Sequence, residues 1–180
     1  YKRICDGIAR AAADSSRKPE EITLLAAPKT VPVEVINHSI ALGISHIGEN
    51  RVQELCEKYD GYASVDVQFI GHLQTNKVRQ IISKVSLIQS VDSLHLAQEV
   101  SRQAVKAAKQ QDILLEVNIG REENKSGVLP EALPELLEQV AVLPALHIRG
   151  LMAIPPADAA KSETIRFFSR MTQYFIDIKN

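Results

Sequence analysis

Cysteine is scarce: Cys5 and Cys56 are the two in 180 residues. They show no CxxC spacing and no clustered histidines, which excludes the usual zinc sites. Two free thiols fit a reducing compartment, and a single disulfide is the alternative, so the expected localisation is cytoplasmic. No basic excess exists either. Twenty-one Lys and Arg face 22 Asp and Glu, for a net charge of −1, so a broad nucleic-acid face is not expected. No apolar run approaches the ~18 residues of a membrane span. Residues 1–13 carry Lys2, Arg3, Asp6 and Arg10 among short apolar steps, a helix pattern rather than a leader. The chain has no low-complexity tract and no linker long enough to split it. It also has no Gly-rich phosphate loop, no GxSxG, no HExxH and no paired-carboxylate motif. Apolar residues at 45% and charged residues at 24% describe an ordinary globular domain and exclude disorder as a description of the whole.

What is present is alternation between two periods. Short apolar or β-branched runs at 22–27, 45–48, 65–71, 85–90, 112–119 and 146–153 read as strands. Helix patterns fall between them: 33–42, from Glu49-Asn50 through Lys58, 75–83, and from an N-cap at Asp92 or Ser93 to Gln110. Leu133, Leu136, Leu137 and Val140 form the next stripe. Ile165, Phe168, Met171, Phe175 and Ile178 form the last. The strands read as nearly unbroken apolar runs, as expected when both faces of a parallel sheet are covered. Strict alternation implies parallel strands joined by right-handed crossovers.

Two architectures meet that description. An open doubly wound sheet usually carries a Gly-rich turn after its first strand, whereas this chain has Ala27-Pro28-Lys29-Thr30 there. Polar or soft side chains instead follow several strands: Lys29, Glu49-Asn50, His72, Ser90, Asn118 and Met152. A barrel builds its site at those ends. The expected fold is therefore a (β/α)8 TIM-type barrel, of which six β/α units and a leading helix are present, with residues 1–180 forming a single domain. Eight units would need about 50 further residues.

Each candidate has a chemical reading and a plain one. Lys29 follows an apolar strand, where a desolvated amine can attack an aldehyde; the plain reading is a loop lysine reaching into water. Asn50 offers an amide to a ligand or caps its helix. His72 and Lys77 could meet an anion beside Gly71, or His72 is simply a satisfied loop histidine. Ser90 offers a hydroxyl, although Asp92 or Ser93 as cap explains most of that segment. Asn118, at the end of an apolar strand, must be paired by a ligand or a neighbouring loop. Lys125-Ser126-Gly127 is a polar turn. Met152 is either core or a contact for a flat ring.

Seven segments, in order, carry a family resemblance: Leu24–Thr30 (LLAAPKT), Ile47–Glu54 (IGENRVQE), Phe69–Lys77 (FIGHLQTNK), Ser90–Ser93 (SVDS), Val117–Ile119 (VNI), Asn124–Gly127 (NKSG) and Arg149–Pro155 (RGLMAIP). Together they resemble the pyridoxal phosphate homeostasis proteins, the YggS/PROSC family. The resemblance implies an alanine-racemase-like barrel, without the racemases' second β-domain, that holds pyridoxal 5′-phosphate (PLP) as a Schiff base. Lys29 is the matching lysine for that internal aldimine, and Asn50, His72, Ser90, Asn118 and Met152 would line the pocket. It implies no catalytic turnover and no metal. The implied role is to balance vitamin B6 and amino-acid pools, with PLP and PLP-dependent client enzymes as partners, no membrane, and a monomer at full length. A PLP-dependent racemase or another Schiff-base barrel enzyme is the alternative. None of Tyr1, Tyr59, Tyr62 and Tyr174 follows a strand to supply the second acid/base group of a racemase. Pro28 stands where the family usually has Ser, which removes a backbone N–H. The family's last two strand units, whose turns serve the PLP phosphate, are not in this sequence.

Overall fold

The computed structural model describes residues 1–179. A leading helix, α1 (Lys2–Asp14), precedes six strands, each followed by a helix: β1 (Leu25–Ala26), α2 (Val33–Ala41), β2 (His46–Glu49), α3 (Val52–Lys58), β3 (Asp66–Phe69), α4 (Val78–Ile81), β4 (Leu87–Val91), α5 (Leu94–Lys106), β5 (Gln111–Glu116), α6 (Leu133–Ala141), β6 (Leu146–Met152) and α7 (Lys161–Lys179). The strands form one sheet in the order β1-β2-β3-β4-β5-β6, every neighbouring pair parallel. That sequential order is the progression of a barrel; a doubly wound sheet would reverse at a switch point. Among the described residues β1 and β6 are the edges and do not pair with each other.

The register explains the core. Glu49 pairs with Phe69, Phe69 with Ile88, Ile88 with Ile113 and Ile113 with Ile148. Partners in parallel strands share a face, so this row crosses five strands on one side of the sheet. Phe69, Ile88 and Ile113 are fully buried there, packed with Ile36, Leu55, Val78, Ile81, Val100, Leu133 and Val140 from the covering helices. Glu49, at the polar end of the row, is equally buried, and the Tyr62 hydroxyl donates to its Oε1 at 2.5 Å. Burial, together with that carboxylate, pushes the Tyr62 phenol above its ordinary range.

The opposite face corrects the expectation of apolar runs. β5 alternates strictly between buried and half-buried residues, and many of the inward positions across the sheet are polar. His46 lies 3.8 Å from Asp66, Gln68 donates to Asp66 at 2.6 Å, Gln89 donates to Gln68 at 2.7 Å, and His147 lies 3.1 Å from Asp112. These inner-face side chains pair across strands.

Element bounds also move. β1 keeps two of the six residues expected, because a 3₁₀ turn at Pro19–Glu21 precedes it and buried Pro28 follows. The helix expected at 75–83 is a 3₁₀ turn, Thr75–Lys77, followed by the short α4. Helix α5 begins at its Ser93 cap, whose Oγ accepts from the Leu96 N–H, and stops at Lys106 rather than Gln110. Ala108 is left-handed there, with φ +50, and Lys109 turns its ammonium onto the carbonyls of Ile82 and Val85 at 2.9 and 3.0 Å. Cys5 and Cys56 are free thiols, so the disulfide alternative is not formed.

Phe69 sits mid-row with no exposed surface. Phe69→Ala is expected to cost about 3–5 kcal/mol, read as a lower urea midpoint at unchanged slope; a loss under 1 kcal/mol would mean that the row is not the core.

Candidate functional site

The strands run parallel, so all six C-terminal ends emerge on one rim. Among the described residues a cleft of about 210 Å³ opens there, between the exits of β2, β3 and β5 and the loop after β5. Asn50, His72, Glu116, Asn118, Lys125 and Ser126 contribute polar groups to it. A larger hollow, about 320 Å³, lies at the other end of the sheet between α1 and the starts of β1 and β2. It holds none of the strand-end residues.

Glycine brings the exits together. A Cβ at Gly71 would overlap the Asn50 carbonyl, so the chain leaving β3 can lie on the chain leaving β2 only because that position has no side chain. The Asn50 amide then lines the cleft. It does not cap α3: Arg51 occupies the cap position and no side-chain cap bond is made. Asn50 Oδ1 is buried and has no hydrogen-bond partner among the described residues. Such an acceptor is costly to leave open and suits a ligand donor.

The loop after β5 folds back on its own strand. Asn118 N–H donates to the Val128 carbonyl at 2.9 Å, and Val128 N–H donates to Glu116 O at 2.8 Å. The Asn118 side chain is consumed within this loop: Nδ2 donates to Glu122 O at 2.8 Å and Oδ1 accepts from Glu122 N–H at 3.1 Å. Asn118 thus shapes the cleft wall, and the loop satisfies its amide. The same loop carries Ser126 to within 3.0 Å of His72 Nδ1, with Asp92 Oδ2 3.7 Å from that nitrogen. Lys77, the other expected anion contact, does not line the cleft.

Glu116 escaped the sequence reading because it lay within what looked like an apolar strand; its inward parity was the available signal. Burial, and secondarily the charge of Asp92, push its carboxyl up to about 7. Met152 pairs in register with Glu116 and shares its face. It and Ser90 lie within strands rather than after them, and neither lines the cleft. Ser90 is 1% exposed, and its Oγ has no partner among the described residues.

Lys29 stands at the β1 exit on the same rim, exposed, outside the cleft lining. It has φ +43, a left-handed conformation that is rare for a residue with a Cβ and costs ~1–2 kcal/mol. Val31 N–H closes the turn onto the Pro28 carbonyl at 2.9 Å. The Lys29 carbonyl accepts from the Lys58 ammonium.

Comparison with known proteins agrees with this α/β architecture. The model for the alanine racemase N-terminal domain matches residues 27–178, which sets the class. The chain belongs to the pyridoxal phosphate homeostasis protein family. A protein of that name from Aquifex aeolicus is 46% identical over 156 residues, 86% of this chain and 68% of the relative. A solved protein from Bifidobacterium adolescentis superposes with a TM-score of 0.90 at 32% identity, covering 96% of this chain and 74% of that one. PipY of Synechococcus elongatus, solved with PLP bound, superposes at 0.80 and 31% identity, covering 96% and 81%.

Glu116 gives a pH signature. Its folded value of about 7 lies above the ordinary 4.5, so between those values the folded state holds a proton that the unfolded state has lost. This contribution to stability is complete below pH about 4.5 and is lost as pH rises through about 7. Glu116→Gln is expected to remove that decline: the difference in urea midpoint between variant and parent should grow in the variant's favour from pH 5 to pH 8. A flat difference would place Glu116 in ordinary solvent.

Proposed function

We propose that this chain binds PLP at the C-terminal rim and forms a Schiff base with it through Lys29, serving PLP and amino-acid balance rather than a turnover reaction. The position of Lys29 at the exit of β1, in a turn held by Lys58, carries the reading. The PLP-bound PipY and the family name support it. Residues 1–180 act as one PLP-binding unit.

The rim fits such a ligand in its unspent polar groups. Asn50 Oδ1 is buried at the cleft without a partner among the described residues, and His72, Ser126 and Lys125 line the cleft as further polar contacts. In this reading Asn50 and His72 hold the ligand directly, Asn118 keeps the wall in place through its loop, and Ser90 and Met152 support the rim from within β4 and β6. Lys29, in its free-amine form, would hold the group through its aldehyde carbon, with the carbonyl oxygen lost as water. When bound, PLP supplies an electron-withdrawing ring to amines joined at its aldehyde. Neither Tyr59 nor Tyr62 lines the cleft, and Tyr62 is committed to Glu49.

Titration with PLP followed by borohydride reduction and peptide mass spectrometry tests this. The pyridoxyl adduct is expected on the peptide carrying Lys29, and Lys29→Ala should abolish it while leaving non-covalent binding. An adduct on Lys77 or Lys125 alone, or none, would overturn the assignment. Asn50→Ala should weaken binding roughly tenfold, the loss of about one hydrogen bond.

A further inference from the structure

We infer that Lys58, the last residue of α3, is the positioning residue for Lys29: its part-buried side chain carries an ammonium that grips the Lys29 carbonyl and fixes the left-handed turn that presents the Lys29 amine. The inference rests on the proposed role of Lys29 and adds the device that holds it.

Lys58 is unusual for a lysine. Its side chain is only 15% exposed, although surface lysines normally carry their heads into water. An ammonium drawn partly out of water gains from pairing, and it finds two partners. One is the Glu54 carboxylate a turn earlier on α3, with Oε2 at 3.4 Å. The other is the Lys29 carbonyl, 29 positions away in sequence. Glu54 is itself held from its other oxygen by Arg51 at 3.4 Å. The chain thus runs from a helix, through a part-buried ion pair, to one backbone oxygen.

That oxygen belongs to the residue whose backbone most needs holding. Lys29 has a Cβ and sits at φ +43, where glycine would be at ease. The turn otherwise has one short-range bond, Val31 N–H to Pro28 O. With β1 only two residues long, the sheet offers little restraint past Ala26. A charge-assisted bond from a rigid helix end can hold a conformation that local preference would abandon. An ammonium suits the task because it is a compact charge aimed at one acceptor.

The test compares parent, Lys58→Met, which keeps the apolar stem, and Lys58→Arg, which keeps the charge. The first readout is hydrogen exchange in the PLP-free protein. In Lys58→Met the Val31 amide should exchange at least tenfold faster, while amides of β4 and β5 exchange as in the parent. The second is PLP titration: half-saturation should rise roughly tenfold in Lys58→Met, the equivalent of ~1.4 kcal/mol, with Lys58→Arg recovering most of both effects. Unchanged Val31 exchange would overturn the inference, as would acceleration spread evenly over the sheet, which marks general destabilisation. A parent that takes up no PLP overturns the proposed function instead, and the exchange result still decides whether Lys58 holds the turn.

Discussion

Phe69, Ile88 and Ile113 stand side by side across three strands, and the placement of everything else depends on that row. In a parallel sheet, register fixes which residues share a face. Once these three face the helices, Glu49 and Ile148 must follow at the two ends of the row. A one-residue slip of β3 would carry Asp66 and Gln68 into the helical core, where their polar groups would lack water. The cost of such a slip is what makes the rim reproducible: Asn50, Gly71 and Asn118 leave the sheet at fixed heights because the strands beneath them cannot slide.

The rim itself is held by bonds of a different kind. Where apolar burial ends, the structure turns to side chains that satisfy backbone groups. Asn118 binds both backbone groups of Glu122, and Lys58 takes the Lys29 carbonyl. Each replaces water that burial excludes, and each fixes a loop that has no core of its own. Among the described residues four buried side-chain atoms lack a partner: Glu49 Oε2, Asn50 Oδ1, Ser90 Oγ and Gln111 Oε1. Of these, Asn50 Oδ1 belongs to a residue that lines the cleft, the pattern expected where a ligand completes the network.

Much of this was legible in the residues. The alternation of short apolar runs with helical stripes determines six parallel units, and the chemistry at their ends singles out Lys29, Asn50 and His72. What escaped was parity within the strands. Asp112, Leu114, Glu116 and Asn118 alternate with Ile113, Leu115 and Val117, but the eye merges a strand of this length into one apolar run. Reading it at period two would have exposed Glu116 as inward-facing. The role of Lys58 had no local signal at all, since a lysine four residues after a glutamate on a helix ordinarily marks a solvent-exposed pair. Only the placement of the Lys29 carbonyl near the end of α3 gives it a second partner. For Asn118 the sequence left two partners open, a ligand or a neighbouring loop, and the loop takes the amide.

The polar inner face follows from the same geometry. A closed small barrel fills its interior with side chains in layers, usually bulky and branched. Here the inward layer nearest the strand starts is His46 with Asp66, and the next contains Gln68, Leu87, Asp112 and His147. These groups pair laterally, carboxylate to imidazole and amide to amide, rather than packing as hydrocarbon. Such a layer gains little from excluding water, so the stability of the sheet is carried almost entirely by its outer face. The inner face is then free to vary in polarity without unseating the row of Phe69, Ile88 and Ile113. That division of labour lets Glu116 sit half-buried beside Asp92: the outer core absorbs the cost of two acids near one rim, and the inner face acquires a carboxyl that changes charge near neutral pH.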